Sequence, residues 1–270
     1  MTDIVVFVVV YNCSLENSKT LQTLNPQLVS RVFVADNSTI ENENEQLAKD
    51  KGYRYLSMQG NVGLSRAYNK LLDQLYAEIQ NRDTIICLFD DDTKLTDDYF
   101  LKLGEAFCEH SEYQIYVPYV YDQVGLLSPC GIKGAITFRF HNEKEIASEG
   151  ISAINSGMAI RMECYESYRY DERLFLDYVD HAFLKDITNH SKANIYIFDT
   201  QLFQNFSATE HKPLRTSLKR FRIFSEDINN YCRKYRVSPL QKMMILSKRL
   251  THIYADAVIR KLTSREEQNG

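Results

Sequence analysis

Residues 83–93 read DTIICLFDDDT, and this stretch decides the fold class. Five apolar residues in a row are typical of a strand that is buried on both faces. The strand is followed at once by three carboxylates, those of Asp90, Asp91 and Asp92. Adjacent like charges repel one another, so this arrangement costs folding free energy unless something positive lies among them. The stretch therefore predicts a buried strand with a cation-binding site at its carboxyl end.

The sequence before this strand has the pattern of a parallel sheet with crossover helices. Runs of apolar, β-branched residues predict three earlier strands, and leucines at three-to-four spacing predict an amphipathic helix just before residue 83. The strands are IVVFVVVYN (4–12), RVFVADNST (31–39) and YRYLSMQG (53–60), and the helix is LSRAYNKLLDQLYAEIQ (64–80). Ligands of open α/β sheets collect outside the carboxyl ends of strands. We therefore expect Tyr11–Asn12, Asp36–Asn37 and Asp90–Asp92 along one edge of one sheet.

The second half of the chain mixes strand and helix signals. Thr96 has the character of an N-cap for a helix that runs to about Glu109. The residues that follow have a strand-like pattern interrupted by glycines. After them the sequence predicts a strand that leads into a helix, then a short helix and a late strand. These segments are YQIYVPYVYD (113–122), GIKGAITFRF (131–140), NSGMAIRMECYESY (155–168), LDYVDHAFLKDI (176–187) and NIYIFDTQLFQ (194–204). The sequence thus predicts an α/β fold with a mixed sheet flanked by helices.

Length and composition limit the class of protein. The chain has 270 residues and 44% hydrophobic content, enough for one large domain or a domain with an appendage. Its six cysteines show no metal-ligand spacing, which favours reduced thiols and a cytoplasmic location. The apolar run near the N-terminus is too short to span a bilayer, and Asp3 stands where a signal peptide has basic residues.

The distribution of charge divides the chain into an acidic body and a basic C-terminal region. Residues 211–261 contain 13 lysines and arginines but only 3 acidic residues. We place a domain boundary between residues 1–205 and a helical extension at 206–270, in which Ser238 is the N-cap and Pro239 the first helical residue. The simplest interpretation of the extension is a helix docked on the domain or a contact in a homo-oligomer. The alternative is peripheral contact with the inner face of the cell membrane. No nucleic acid is expected, because the aromatic residues there do not form a stacking platform.

The acid triplet has a chemical use that its spacing suggests. Asp90 and Asp92 are two residues apart in an extended segment, so their side chains can face the same side while Asp91 faces another. Two such carboxylates suit Mg²⁺ or Mn²⁺, which usually completes its shell with water and substrate phosphate. The alternative is an acidic turn that caps the next helix. The position at a strand end, beside two other polar strand ends, favours the metal.

Seven strings, taken in order, resemble the inverting glycosyltransferases of family 2, and among them the bacterial rhamnosyltransferase-like members. They are VVVYN, VADNST, NVGLSRAYNKLL, FDDDT, NSGMAI, LFLDYVDHAFL and HKPLR followed by RFRIF. The resemblance implies a GT-A fold, which is a Rossmann-like nucleotide-binding domain, together with a nucleotide-sugar donor and a divalent metal. It also implies a saccharide or lipid-linked acceptor in surface polysaccharide synthesis, with a UDP- or dTDP-linked hexose as donor.

The resemblance carries over to particular residues. Asp180 matches the catalytic base, with Asp177 as the less favoured choice, and Asp92 matches the residue that binds the metal directly. The residues implied to contact the nucleotide or its diphosphate are Tyr11, Asn12, Asp36, Asn37, Asn61, Gly63, Arg66, Asp90 and Asp91. The residues implied to shape the sugar and acceptor pocket are Asn155, Ser156, Gly157, Asp177 and His211. Gln204 stands where relatives often have a histidine that contacts the metal or phosphate, while Lys133 and Arg215 are further candidates for diphosphate contacts.

Two other functions compete with a glycosyltransferase. A phosphatase of the haloacid dehalogenase type also places D-x-D after a strand, with Asp90 as nucleophile and Asp92 as acid and base, but residue 94 is lysine where that motif has threonine or valine. The second alternative is an inactive relative that only binds nucleotide. The presence of both Asp92 and Asp180 argues against it. A nicotinamide-dependent enzyme is disfavoured because no G-x-G-x-x-G follows the first strand.

Overall fold

The computed structural model of the chain describes residues 3–79, 83–146, 150–190, 192–204 and 213–269, with side chains described as far as residue 259. Twelve strands occur in these residues. They are β1 (Asp3–Val10), β2 (Arg31–Asp36), β3 (Arg54–Ser57), β4 (Thr84–Asp90), β5 (Thr93–Lys94), β6 (Ile115–Asp122), β7 (Gly125–Ser128), β8 (Cys130–Lys133), β9 (Ile136–Arg139), β10 (Ile151–Ser152), β11 (Ala159–Arg161) and β12 (Ile195–Gln204).

The first four strands form the parallel half of a central sheet, in the order β3-β2-β1-β4. The register places Val10 opposite Asp36 and Val9 opposite Asp90. The polar residues that end β1, β2 and β4 therefore lie side by side, which confirms the arrangement predicted from the sequence.

The other half of the sheet is mixed. It continues from β4 through β11, β6, β12 and β5, with β7 on β6, and only β6 and β12 run parallel. The β12–β5 pair joins Gln204 to Thr93, so the last strand ends beside the acid triplet. A separate antiparallel sheet contains β10, β8 and β9.

Eight α-helices in the described part of the chain flank these sheets. They are α1 (Lys19–Thr23), α2 (Asn44–Asp50), α3 (Leu64–Glu78), α4 (Asp97–Glu109), α5 (Cys164–Ser167), α6 (Val179–His190), α7 (Leu214–Lys234) and α8 (Pro239–Asn269). The Thr96 hydroxyl accepts a hydrogen bond from the Tyr99 N–H at 3.4 Å, as expected of an N-cap. Helix α6 begins three residues later than predicted, because Tyr178 has a φ of +63° and the residues before it are held outside the helix.

Two apolar layers cover the two faces of the central sheet. One layer is built from α3, α6 and α7, and includes Leu71, Phe183 and Ile228. The other is built from α1, α2 and α4, and includes Leu21 and Phe100. Burial of one such large side chain stabilises the fold by about 1.5–3 kcal/mol. Both faces of the sheet are thus covered by apolar side chains, so the polar side chains predicted for the site lie at the ends of the strands.

The two C-terminal helices differ in how they pack. Helix α7 contributes Phe224, Ile228 and Tyr231 to the main core. Helix α8 packs on α7 and leaves Leu240 and Val258 largely exposed, at 61% and 58%. Among the described residues, no helix is both long enough and apolar enough to cross a bilayer.

Candidate active site

Gln204 connects the two carboxylates that the sequence predicts to face one way. Its Nε2 donates to Asp90 Oδ2 and to Asp92 Oδ1, each at 3.1 Å. Asp91 faces the other way, toward the backbone amide of Tyr11 and the Cys13 thiol. The predicted division of the triplet is thus confirmed, with the end of β12 closing the side on which Asp90 and Asp92 meet.

The backbone of the acid segment is held by hydroxyl groups from α1. The Ser18 hydroxyl donates to the Asp91 carbonyl at 3.0 Å, and the Thr20 hydroxyl accepts from the Thr93 N–H at 3.1 Å. The Ser156 hydroxyl contacts the Thr93 hydroxyl from the opposite side. No local pattern predicts these contacts, because Ser18, the N-cap of α1, and Thr20 lie 73 positions before their partners.

Burial and mutual repulsion leave the three acids poorly stabilised as anions. Burial, with the Asp92 and Asp91 charges, raises the pKa of Asp90 to about 7, against an opposing hydrogen bond from Gln204. Burial and the Asp92 charge raise the pKa of Asp91 to about 6, and burial also raises the pKa of Asp92. In the described part of the chain, no lysine or arginine forms an ion pair with any of them. The site therefore has uncompensated negative charge, which a bound cation would offset.

The donor atoms at this site fit a hard divalent cation. Besides the carboxylates, the buried oxygens Gln204 Oε1 and Asn155 Oδ1 have no hydrogen-bond partner. The described residues contain no cluster of three or more histidine, cysteine or acidic side chains with metal-binding geometry. Mg²⁺ does not require one, because it is commonly held by one or two carboxylates together with water and substrate phosphate. Asp92 and Asp90 are therefore the residues that could hold the ion, with an amide oxygen nearby.

The ends of β1 and β2 form a polar rim next to the acids. Tyr11 is 51% exposed, so its ring is open to a ligand. Asn12 has a φ of +52°, and its backbone N–H donates to the Ser38 hydroxyl at 2.8 Å. Its side-chain oxygen also accepts from the Thr39 N–H at 2.8 Å. Asn12 thus ties together the two loops that follow β1 and β2.

Asp36 is buried beneath this rim. Its carboxylate accepts hydrogen bonds from the Ser38 N–H, the Asn44 amide and the Tyr55 hydroxyl at 2.8, 2.8 and 2.9 Å. Burial alone would raise the pKa of Asp36, but these bonds outweigh it and lower the pKa. The Ser38 hydroxyl also contacts this carboxylate, so its roughly four acceptor positions are already engaged within the chain. Its contact with a nucleotide stays a prediction.

The loop before α3 is shaped by asparagine side chains. Asn37 accepts from the Val62 N–H and donates to the Gly63 carbonyl, both at 3.3 Å, and Asn61 accepts from the Gly63 N–H at 3.1 Å. Gly63 has a φ of +87°, and a Cβ there would lie 2.6 Å from the Phe175 carbonyl oxygen. Only glycine fits this position, because Phe175 occupies the space that a side chain would need.

Arg66 lies on the first turn of α3. It is 57% exposed and is 3.5 Å from Glu172, so this weak, solvated ion pair leaves it able to turn toward a diphosphate. Lys133 and Arg215 are both exposed and belong to no described ion pair.

Asp180 lies in the first turn of α6, close enough to Asp90 that its charge contributes to the raised pKa of Asp90. Its carboxylate is 17% exposed and accepts from the His181 N–H at 2.7 Å. The His181 ring in turn contacts the Ser152 hydroxyl at 2.7 Å through Nδ1. The structure therefore brings Asp180 to the same edge of the sheet as the acid triplet, although the two lie about 90 residues apart in sequence.

Asp177 is engaged with α7 instead. Arg220 donates to both of its carboxylate oxygens, one of them at 2.8 Å. Both oxygens of Asp177 are therefore already engaged, whereas Asp180 has no lysine or arginine partner in the described residues. The structure thus favours Asp180 over Asp177 as a candidate base.

Residues 155–157 form a tight turn against the acid segment. The Gly157 N–H donates to the Leu88 carbonyl at 2.8 Å, and the Ser156 hydroxyl is 3.5 Å from the Asp90 N–H. The buried Asn155 oxygen without a partner supports its prediction as part of a pocket floor. His211 lies outside the described residues.

Comparison with known proteins identifies the family. The model of glycosyl transferase family 2 matches residues 5–169, which is more than half of the chain. The chain therefore belongs to glycosyl transferase family 2, and its mixed sheet with flanking helices is the GT-A fold. No curated protein sequence matches the chain.

Solved structures share the fold at low sequence identity. Glucosyl-3-phosphoglycerate synthase from Mycobacterium tuberculosis, crystallised with Mg²⁺ and UDP, is 13% identical with a TM-score of 0.53, over 88% of this chain and 80% of that chain. Mannosyl-3-phosphoglycerate synthase from Rubrobacter xylanophilus is 12% identical with a TM-score of 0.56, over 87% and 74%. S. aureus TarS is 15% identical with a TM-score of 0.50, over 92% of this chain but only 43% of TarS. These similarities establish the fold but not the substrates.

Proposed function

We propose that this protein is an inverting glycosyltransferase that moves a hexose from a UDP- or dTDP-linked donor to a hydroxyl of a glycan or lipid-linked saccharide. Rhamnose is among the sugars that its motifs favour, and synthesis of a bacterial surface polysaccharide is the pathway we propose. One observation carries the proposal. Three crowded carboxylates lie at the end of β4 without a lysine or arginine partner among the described residues, and Asp180 is near enough for its charge to raise the pKa of Asp90.

The donor nucleotide has a continuous polar surface available. We assign the exposed Tyr11 ring to stacking on the nucleoside, Asn12 to the edge of its pocket, and Asp36 to a hydrogen bond with the base. The loop before α3 would cover the diphosphate, because Arg66 on the first turn of α3 is 57% exposed and its solvated pair with Glu172 is weak enough to yield to an anion. Asp91, which faces the Tyr11 side, would contact the sugar-proximal part of the nucleotide.

We assign the metal to Asp92, with Asp90 beside it. A bound Mg²⁺ or Mn²⁺ would stabilise the negative charge that develops on the departing diphosphate. The raised pKa values of the three acids fit this role, because carboxylates that are unstable as isolated anions gain most from a cation. Structures of glucosyl-3-phosphoglycerate synthase in this fold contain UDP with Mg²⁺ or Mn²⁺, which supports the same assignment here.

We assign Asp180 as the general base. In an inverting transfer the acceptor hydroxyl attacks the anomeric carbon on the face opposite the leaving diphosphate, and one base must accept its proton. Asp180 is partly exposed and has no ion pair with lysine or arginine in the described residues. General bases typically contribute 10²- to 10⁴-fold to the rate. The acceptor would enter beside the turn at 155–157.

Peripheral contact with an anionic membrane is a further part of the proposal. Exposed lysines and arginines occur along α7, in the turn after it and along α8, and each contributes about 1 kcal/mol near an anionic surface. They are Arg215, Lys219, Arg222, Arg233, Arg236 and Lys248. Because α7 belongs to the core, its deletion would unfold the domain. The suitable test is Lys219→Glu with Arg222→Glu, which should weaken salt-sensitive sedimentation with phosphatidylserine vesicles. Unchanged sedimentation would contradict membrane contact by this surface.

Release of nucleoside diphosphate tests the central assignment. The chain is incubated with a panel of UDP- and dTDP-linked hexoses and Mn²⁺, with and without saccharide acceptors, and the released UDP or dTDP is measured. We expect release from one donor class, and a loss of about 10²- to 10⁴-fold in Asp180→Asn with nucleotide binding retained. A full rate in Asp180→Asn would contradict the assignment of the base, and release of phosphate from simple phosphomonoesters alone would contradict the function.

A further inference from the structure

We propose that Asp227 of α7 is a positioning residue that holds the candidate base Asp180 in place through the segment 175–177. The inference rests on the proposed function, because it assigns Asp227 a role in catalysis only through Asp180. It extends the candidate site to the buried face of α7, whereas the α7 residue named among the candidates above, Arg215, is exposed.

The contacts of Asp227 are directed at backbone. Its carboxylate accepts hydrogen bonds from three consecutive amides, those of Phe175, Leu176 and Asp177, at 2.6, 2.9 and 2.8 Å. Asp227 is only 1% exposed. Three charge-assisted bonds in a buried setting fix the orientation of a segment that belongs to no helix or strand. Asp180 follows this segment directly, in the first turn of α6.

A second α7 residue holds the same segment by its side chain. Arg220 lies two helical turns before Asp227, on the same face of α7. Its guanidinium donates a hydrogen bond to each oxygen of the Asp177 carboxylate. Helix α7 therefore fixes both the backbone and the side chain of Asp177, three residues before Asp180.

The other side of the segment touches the loop assigned to the diphosphate. The Phe175 carbonyl accepts from the Leu64 N–H at 2.7 Å, at the start of α3, and leaves no room for a Cβ on Gly63. Tyr178, with its φ of +63°, then turns the chain into α6. The segment thus lies between α7 and the donor loop, so a shift there would move the base relative to the donor.

Docking of α7 does not by itself require a carboxylate at this position. Phe224, Ile228 and Tyr231 already bury an apolar face of α7 in the core. A buried charge costs folding free energy unless hydrogen bonds offset it, so an apolar side chain would dock the helix at least as well. The contribution specific to the Asp227 carboxylate is therefore its hydrogen bonds to the N–H groups of residues 175–177.

The test compares Asp227→Asn with Ile228→Val, a matched change in the next residue of the same buried helix face. In Asp227→Asn we expect kcat to fall at least tenfold, the donor KM to change less than threefold, and the amides of residues 175–180 to exchange hydrogen faster. In Ile228→Val we expect kcat within twofold and no change in exchange at residues 175–180. If Asp227→Asn does not fold, Arg220→Gln tests whether α7 fixes the same segment. We again expect a fall in kcat of at least tenfold and a change in the donor KM of less than threefold.

Three results would overturn the inference. They are an unchanged kcat in Asp227→Asn well below its Tm, an equal loss of kcat in Ile228→Val, and a loss confined to KM. If the wild-type chain neither binds nucleotide nor turns over any donor, the proposed function fails. In that case the exchange rates at residues 175–180 still decide whether Asp227 holds the segment, and unchanged rates in Asp227→Asn would refute that claim.

Discussion

Replacement of Asp90 by asparagine should stabilise the metal-free protein at alkaline pH, although it removes part of the candidate site. Burial and the neighbouring acids raise the pKa of Asp90 to about 7, whereas an unfolded aspartate titrates near 4. Between these values the folded chain binds more protons than the unfolded chain, so stability falls as the pH rises through this window. Asparagine keeps the shape of the side chain and removes the charge.

The size of the effect follows from this difference in pKa. About three pKa units correspond to about 4 kcal/mol at 1.4 kcal/mol per unit, which is an upper figure because adjacent carboxylates share the repulsion. We expect a gain of about 2 kcal/mol above pH 8. For a chain of this size that is a rise in Tm of about 4 °C.

Thermal unfolding in EDTA at pH 8.5 and at pH 5.0 measures this effect. Asp90→Asn should gain stability at pH 8.5 and little at pH 5.0, where Asp90 is already protonated in the folded chain. Asp199→Asn is the matched control, because Asp199 is exposed on β12 and its substitution should change Tm at neither pH. A loss of stability at pH 8.5, or an equal gain at both values, would refute the claim that the acids lack a cationic partner.

Two further predictions concern the loop before α3 and the buried ion network behind α6. Gly63→Ala should lower UDP or dTDP affinity at least tenfold in a binding titration, whereas Gly52→Ala, also at positive φ but with nothing within 4 Å, should leave it unchanged. Equal effects would contradict the role of the Phe175 contact. Lys234→Ala should lower the free energy of unfolding in urea by about 3–5 kcal/mol, because it leaves the buried Asp186 carboxylate without its cation, whereas Asp171 keeps its pair with Arg173. A loss below 1 kcal/mol would contradict this.

The sequence predicted those parts of the site that depend on strands and their ends. Strands β1, β2 and β4 are largely apolar runs followed directly by polar residues, so the alignment of Asn12, Asp36 and Asp90 follows once these strands are adjacent. The common direction of Asp90 and Asp92 also follows from their spacing in an extended segment, and the structure confirms it.

Contacts between distant segments could not be predicted. Gln204 reaches the acids because β12 pairs with β5, a strand of only two residues that has no pattern of its own. The amides of residues 175–177 bind Asp227, about 50 positions later, and their capture delays the start of α6. In both cases a polar side chain forms hydrogen bonds with groups that are distant in sequence and close only in the tertiary fold. The local periodicity of the sequence contains no information about such contacts.

Calorimetric titration of UDP and of dTDP, with Mn²⁺ and with EDTA, tests most directly whether the acids after β4 bind a metal that holds the donor diphosphate. We predict that one of the two nucleotides binds in Mn²⁺, that EDTA weakens this binding at least tenfold, and that Asp92→Asn weakens it to a similar degree in Mn²⁺. Binding of equal affinity with and without the metal, or an Asp92→Asn variant that binds as tightly as the wild type, would contradict the account.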